Sequence, residues 1–102
     1  MKGVFTLTKT YTHNNQQIKI TITNHAIERI LARNIPADQL VESIFNMLDN
    51  ENYSKQFKKH IVKSITNNYS LVIKKDSIDH LIIITAMQGT SCIDKTANII
   101  TV

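Results

Sequence analysis

Residues 80–87, His-Leu-Ile-Ile-Ile-Thr-Ala-Met, constrain this chain more than any other stretch. The unbroken apolar run from Leu81 to Ile84 is strand length and far too short to cross a membrane. It is the most hydrophobic strand of the sequence, and the pattern predicts a central position covered on both faces. Gly89 ends it. The rest of the chain must supply partner strands on either side and a layer to cover them.

Two partner strands lie upstream. Residues 4–11 alternate, with Phe5, Leu7 and Tyr11 on one side and Thr6, Thr8 and Thr10 on the other. Residues 17–23 alternate through Ile18, Ile20 and Ile22. The polar turn Thr12 to Gln16 between them predicts an antiparallel hairpin with one buried face, and puts His13 at the surface. Two more strands, 60–66 and 69–75, flank an Asn67-Asn68 turn, a pair that tolerates the left-handed conformations of tight hairpins. Residues 97–102 can form an edge strand, with Cys92 in the loop before it.

The covering layer is helical. Residues 24–33 read as a helix capped by Asn24, with Ile27, Ile30 and Leu31 as its core stripe. Ile35-Pro36 stops it, because the residue before proline avoids the helical region. Pro36 opens a second helix over 36–49, with the stripe Leu40, Val41, Ile44, Phe45 and Leu48. Residues 49–59 are a polar connection. The expected order is β-β-α-α-β-β-β, with a last short β. It describes one α+β domain over residues 1–102, with two helices on one side of a mostly antiparallel twisted sheet.

Composition narrows the function classes. At 102 residues the chain is large enough for one core. A net charge of +4 favours an anionic partner. Aromatic residues make up 6% with no Trp, too few for a base-stacking platform of the single-strand-binding kind. Two glycines cannot build a Gly-rich phosphate loop, and one cysteine excludes an internal disulfide and a structural zinc site of the usual kind. His13, His25, His60 and His80 show no metal-ligand spacing. No cofactor, metal or membrane partner is therefore expected. The start, Met-Lys-Gly-Val-Phe-Thr, has no cleavage-site pattern, so no signal peptide is expected.

The first helix carries the candidate chemistry. His25, Arg29 and Arg33 recur at i, i+4 and i+8 and stack along one edge, with Ala32 leaving room for a ligand. Arginines bind phosphate in a fork, and histidine moves protons near neutral pH. A solvated basic helix face is the alternative. Lys63 and Lys74 on neighbouring strands could add phosphate contacts, and Tyr69 and Thr85 offer strand hydroxyls. A basic run, Lys55, Lys58, Lys59, His60 and Lys63, is a further candidate for RNA-backbone contact.

The residues Ile22-Thr23, His25-Ala26, Arg29, Arg33, Ile35-Pro36 and Ile83-Ile84-Thr85 resemble a family of small bacterial and phage domains. Those domains are related to ribonuclease toxins of the barnase/EndoU/colicin/RelE type. The resemblance covers roughly residues 20–88, and departs at Asn34, where the family usually has Gly. Asn is the next-best helix-ending residue. The resemblance implies a metal-independent ribonuclease that cleaves by 2′-hydroxyl attack. His25, Arg29, Arg33 and Thr85 would be catalytic, and Lys58, Lys59, Lys63, Lys74 and Tyr69 would bind RNA. It also implies a cognate antitoxin or immunity protein, and action in the cytoplasm, even where the protein is delivered from another cell. A non-catalytic binding module of the same fold, acting on a host protein or RNA, is the other expectation.

Overall fold

The computed structural model describes residues 7–102. Phe5 and the expected start of the first strand lie outside them. The elements are β1 (Leu7–His13), β2 (Gln16–Ile22), α1 (Asn24–Ala32), α2 (Ala37–Asp49), β3 (Lys59–Ser64), β4 (Tyr69–Ser77), β5 (His80–Gln88) and β6 (Asn98–Thr101). The chain is an α+β fold with two helices against one six-stranded mixed sheet, in the order β1-β2-β5-β4-β3-β6.

Turn chemistry sets the hairpins. Asn14 and Asn15 both take positive φ (52° and 63°), giving a two-residue turn tighter than the polar stretch suggested. Asn68 (φ 57°) does the same between β3 and β4. The hairpin pairs β1–β2, β3–β4 and β4–β5 are antiparallel. Two pairs are parallel, β2–β5 and β3–β6. Both join strands that no hairpin links, and only a longer crossover returns the chain in the same direction. The hairpin pattern in the sequence did not reveal these pairs.

One face of the sheet is covered. Ile18 and Ile20, Leu71 and Ile73, Leu81 and Ile83, Val62 and Ile100 meet Ala26 and Ile30 of α1 and Leu40, Ile44 and Met47 of α2 in a single core. On α2 the fully buried positions are Leu40, Ser43, Ile44 and Met47; Val41, Phe45 and Leu48 flank that stripe. On α1 the expected stripe holds at Ile30, is half-buried at Ile27, and is corrected at Leu31. Leu31 is 70% exposed, and the buried pair is Ala26 and Ile30. The cause is the cap, which is Thr23 rather than Asn24. The Thr23 hydroxyl accepts from the Ala26 amide at 3.1 Å and donates to the Ile84 carbonyl at 3.1 Å. Its amide donates to the Ile83 carbonyl. Pinned this way, α1 turns Ala26 onto β5, and the small side chain lets the two backbones approach.

The other face is only partly covered. Ile61 and Ser70 are buried there, beneath the 89–97 connection, which is tied down by Ser70 Oγ donating to the Gly89 carbonyl and by a Lys59–Asp94 pair at 3.0 Å. Over β1, β2 and β5 this face is open. β5 is thus interior, as its sequence requires, but Ile82 and Ile84 are half-buried instead of covered.

Candidate functional site

Helix geometry separates the three residues expected to act together on α1. Each i+4 step turns the side chain by about 40°. His25 and Arg29 are exposed, whereas Arg33 has rotated onto the rim of the buried face and is half-buried. Arg29 sits in the last turn of α1, where a cation complements the helix carbonyl end. Among the described residues none of the three forms an ion pair with a carboxylate. His25 has no hydrogen-bonding partner there that would fix its ring.

The remaining expected residues are dispersed. Tyr69 is 3% exposed on the covered face. Its hydroxyl donates to the Gln39 carbonyl (3.2 Å) and lies 2.7 Å from Ser43 Oγ, so Tyr69 is a packing residue whose hydroxyl is engaged inside the core. Burial pushes its phenol up from the ordinary tyrosine range. His60, placed in the basic run, is fully buried. Lys59 is engaged by Asp94, whose carboxyl is held down to about 2 by hydrogen bonds from the Thr96 hydroxyl and amide and from Lys59. Lys58 is exposed in the connection before β3, and its carbonyl accepts from the Lys75 amide. His13 is no free surface residue: its ring stacks on Phe45 at 4.3 Å and pairs with Asp49 at 2.8 Å.

Lys63, Lys74 and Thr85 share the partly open face of the sheet, with the layer of the sheet between them and α1. Strand alternation puts Lys63 and Lys74 there, because their neighbours Val62 and Ile73 are in the core. Thr85 needs a β-bulge. The pairing shifts from Ile73↔Ile83 to Val72↔Thr85, so Ile84 is an extra residue, and Thr85 turns away from the core that Ile83 enters.

The same face carries an arrangement that the sequence reading missed. His80 Nδ1 lies 3.2 Å from Asp76 Oδ2, His80 Nε2 lies 2.8 Å from Thr21 Oγ1, and Thr21 Oγ1 lies 3.0 Å from Thr8 Oγ1. A second bulge, between Lys75 and Ser77, leaves Asp76 unpaired and aims its carboxylate across the hairpin at the imidazole. A carboxylate can only accept, so in the neutral ring the proton sits on Nδ1 and Nε2 is the acceptor. Thr21 then donates to Nε2 and accepts from Thr8. A histidine oriented by a carboxylate and in contact with a hydroxyl has the parts of a general base. Lys19 is its cross-strand neighbour on β2, and Lys74 lies one strand beyond, opposite Ile82. The only sequence signal was Asp76 and His80 four residues apart at a hairpin; Thr21 is 59 residues from His80.

Among the described residues no cluster of three or more His, Cys, Asp or Glu side chains is arranged to hold a metal ion, and no helix is long and apolar enough to cross a membrane. No protein-family model matches the chain, and neither curated proteins nor solved structures yield a match.

Proposed function

We propose that the protein is a metal-independent ribonuclease whose chemistry sits on the open face of the sheet at His80, rather than on α1. One observation carries this reading: an imidazole held between a carboxylate and a hydroxyl, on an exposed surface with Lys19 and Lys74 beside it. In the reaction a ribose 2′-hydroxyl takes the place of Thr21 at Nε2. His80 accepts its proton, and the 2′-oxygen forms a bond to phosphorus. The bond from phosphorus to the 5′-oxygen breaks, and the ammonium of Lys19 or Lys74 donates a proton to that oxygen. The products are a 2′,3′-cyclic phosphate and a 5′-hydroxyl end. The two lysines also stabilise the charge gathering on the phosphoryl oxygens. Arg29, exposed on α1, adds to the positive field that draws RNA in. By its likeness to the toxin group, the partner in the cell is an acidic antitoxin or immunity protein covering this basic face, and the site of action is the cytoplasm.

The test is incubation of pure protein with total RNA in EDTA, scored for 2′,3′-cyclic ends. His80→Ala should lower the rate by about 100- to 10,000-fold with the melting temperature unchanged, whereas His25→Ala should cut normally. The reverse pattern moves the site to α1. Intact RNA in every case removes the ribonuclease reading.

A second reading has its own observation. Thr21 already occupies Nε2, so the network is closed by the protein itself, as a structural tie between β1, β2 and β5 would be. This is the binding-module alternative. RNA that is bound but left uncut by wild type, together with a loss of stability in Thr21→Val, supports it.

A further inference from the structure

The two edges of the sheet are finished differently. β6 is four residues long, and its Asn98 side chain ties down the 50–58 connection, accepting from the Ser54 amide and donating to the Asn52 carbonyl. β1, at the other edge, is seven residues long, and among the described residues β2 is its one strand neighbour. A long open edge presents backbone donors and acceptors to which another strand can add.

The hydrogen-bond phase identifies those groups. The Lys19 amide donates to the Asp79 carbonyl (2.7 Å) and the Thr23 amide to the Ile83 carbonyl (3.2 Å), so odd-numbered residues of β2 turn their backbone toward β5. The even-numbered residues face β1, where they pair with Leu7, Lys9, Tyr11 and His13. Thr8, Thr10 and Thr12 therefore direct their amides and carbonyls out of the sheet.

The side chains beside that edge set what fits. On the α2 side, Leu7, Lys9 and Tyr11 border an apolar groove of about 200 Å³ that includes Ile20, Leu40 and Ile83. Tyr11 and His13 meet Phe45 of α2 at one end of β1, whereas Leu7 at the other end is 52% exposed. Lys9 is the one charged side chain of the groove; no carboxylate lines it, and among the described residues Lys9 forms no ion pair. A lysine on an edge strand repels neutral and basic strands. It leaves the edge selective for a strand that answers the charge.

We infer that the β1 edge is a docking site for an extended acidic segment of another protein. The segment adds as a strand, with a carboxylate opposite Lys9 and apolar side chains two residues to either side. Backbone bonds to Thr8, Thr10 and Thr12 hold it, the apolar side chains pack beside Leu7 and Tyr11, and Lys9 selects it. A second copy of this chain does not meet the requirement, because β1 contains no Asp or Glu and each chain carries a net charge of +4. The inference does not rest on the ribonuclease reading. The docked strand borders the His80 face without covering it, since the Thr8 side chain lies 3.0 Å from Thr21 on that face.

The experiment uses the whole chain and a synthetic peptide as long as β1, with Ile, Glu and Val at alternate positions and Thr between them. The Thr8, Thr10 and Thr12 amides should shift and exchange more slowly with solvent. Those of Lys9 and Tyr11, already bonded to β2, should change least. A peptide with Lys in place of Glu should bind about 5-fold more weakly, and Lys9→Glu should reverse that preference. A peptide N-methylated at the amides that face β1 should not bind. Equal binding of the Glu and Lys peptides, or no binding of either, overturns the inference. Shifts confined to Ile20, Leu40 and Ile83, with the threonine amides unmoved, overturn it by showing a groove that takes a small apolar ligand. Slowed exchange at Thr8, Thr10 and Thr12 that grows with protein concentration alone overturns it by giving the edge to a second copy.

Discussion

His60 and His80 sit on the same sheet with β4 between them, on opposite faces, and the sheet has made two different groups of them. His60 is fully buried, stacked on Tyr53 at 4.7 Å, and its Nδ1 lies 3.2 Å from Asn98 Oδ1. The Asn98 oxygen also accepts from the Ser54 amide, so the ring helps to lock the 50–58 connection onto β3 and β6. His60 Nε2 faces no partner. His80 is half-buried, with a carboxylate behind it and a hydroxyl in front. A histidine acquires chemistry when one nitrogen is fixed and the other faces something exchangeable. It becomes a packing group when the second nitrogen faces a closed core.

The largest effects that probe this contrast are in the core. Leu71 on β4 is fully buried on the covered face, and its neighbour Val72, on the other face, is half-buried. Leu71→Ala should cost about 2–5 kcal/mol through the cavity it leaves, lowering the melting temperature by at least ~8 °C. Val72→Ala should cost clearly less. Equal losses would mean that both faces are packed, and that the open face is not accessible to a ligand as large as RNA.

The next effect is a pH dependence that belongs to His60. Burial lowers its pKa from the ordinary imidazole value, Lys75 adds to the lowering, and the Asn98 hydrogen bond opposes it. The unfolded chain therefore binds the proton more readily than the folded one. Stability from this group is fully present above about pH 6.5. It is lost as the pH falls from there through the lowered folded value. Urea midpoints measured between pH 7.5 and 5 should fall, and His60→Gln, which keeps a donor for Asn98, should flatten that fall. An unchanged slope in His60→Gln would show that the pH dependence does not belong to His60.

The sequence made legible whatever follows from local pattern. The order of elements came from alternation and helical stripes, and the turns from Asn14, Asn15 and Asn68, each now seen at positive φ. Asn34, at φ 53°, ends the turn after α1 in the conformation that glycine usually takes there. What stayed hidden depends on single-residue shifts and on distance. A bulge at Ile84 decides the face of Thr85, and another at Asp76 aims the carboxylate at His80. Neither leaves a mark in the hydrophobic period. The parallel pairing of β2 with β5 brings Thr21 to His80 across most of the chain, which no local pattern encodes. Leu31 was misplaced because α1 has only nine residues and its rotation is set by the Thr23 cap, not by its most apolar side.

The smallest effect is the most direct test of which face binds. Lys9 and Lys19 are exposed on paired strands, so a field that depended on net charge alone would treat them alike. Their side chains point opposite ways. Lys9 is opposite Ile20 and lines an apolar groove with Tyr11 and Leu40, on the side of α2. Lys19 is opposite Thr10 on β1 and His80 on β5, on the open face. If RNA lies across that face, Lys19 touches a phosphate and releases a counterion, and Lys9 does not. The salt slope of binding to single-stranded RNA should then fall by about 0.7 in Lys19→Ala and stay unchanged in Lys9→Ala. Both variants lose one unit of charge, so the difference between them measures position and nothing else. A matched drop in both would show attraction without a defined face, and would take the cationic support away from His80.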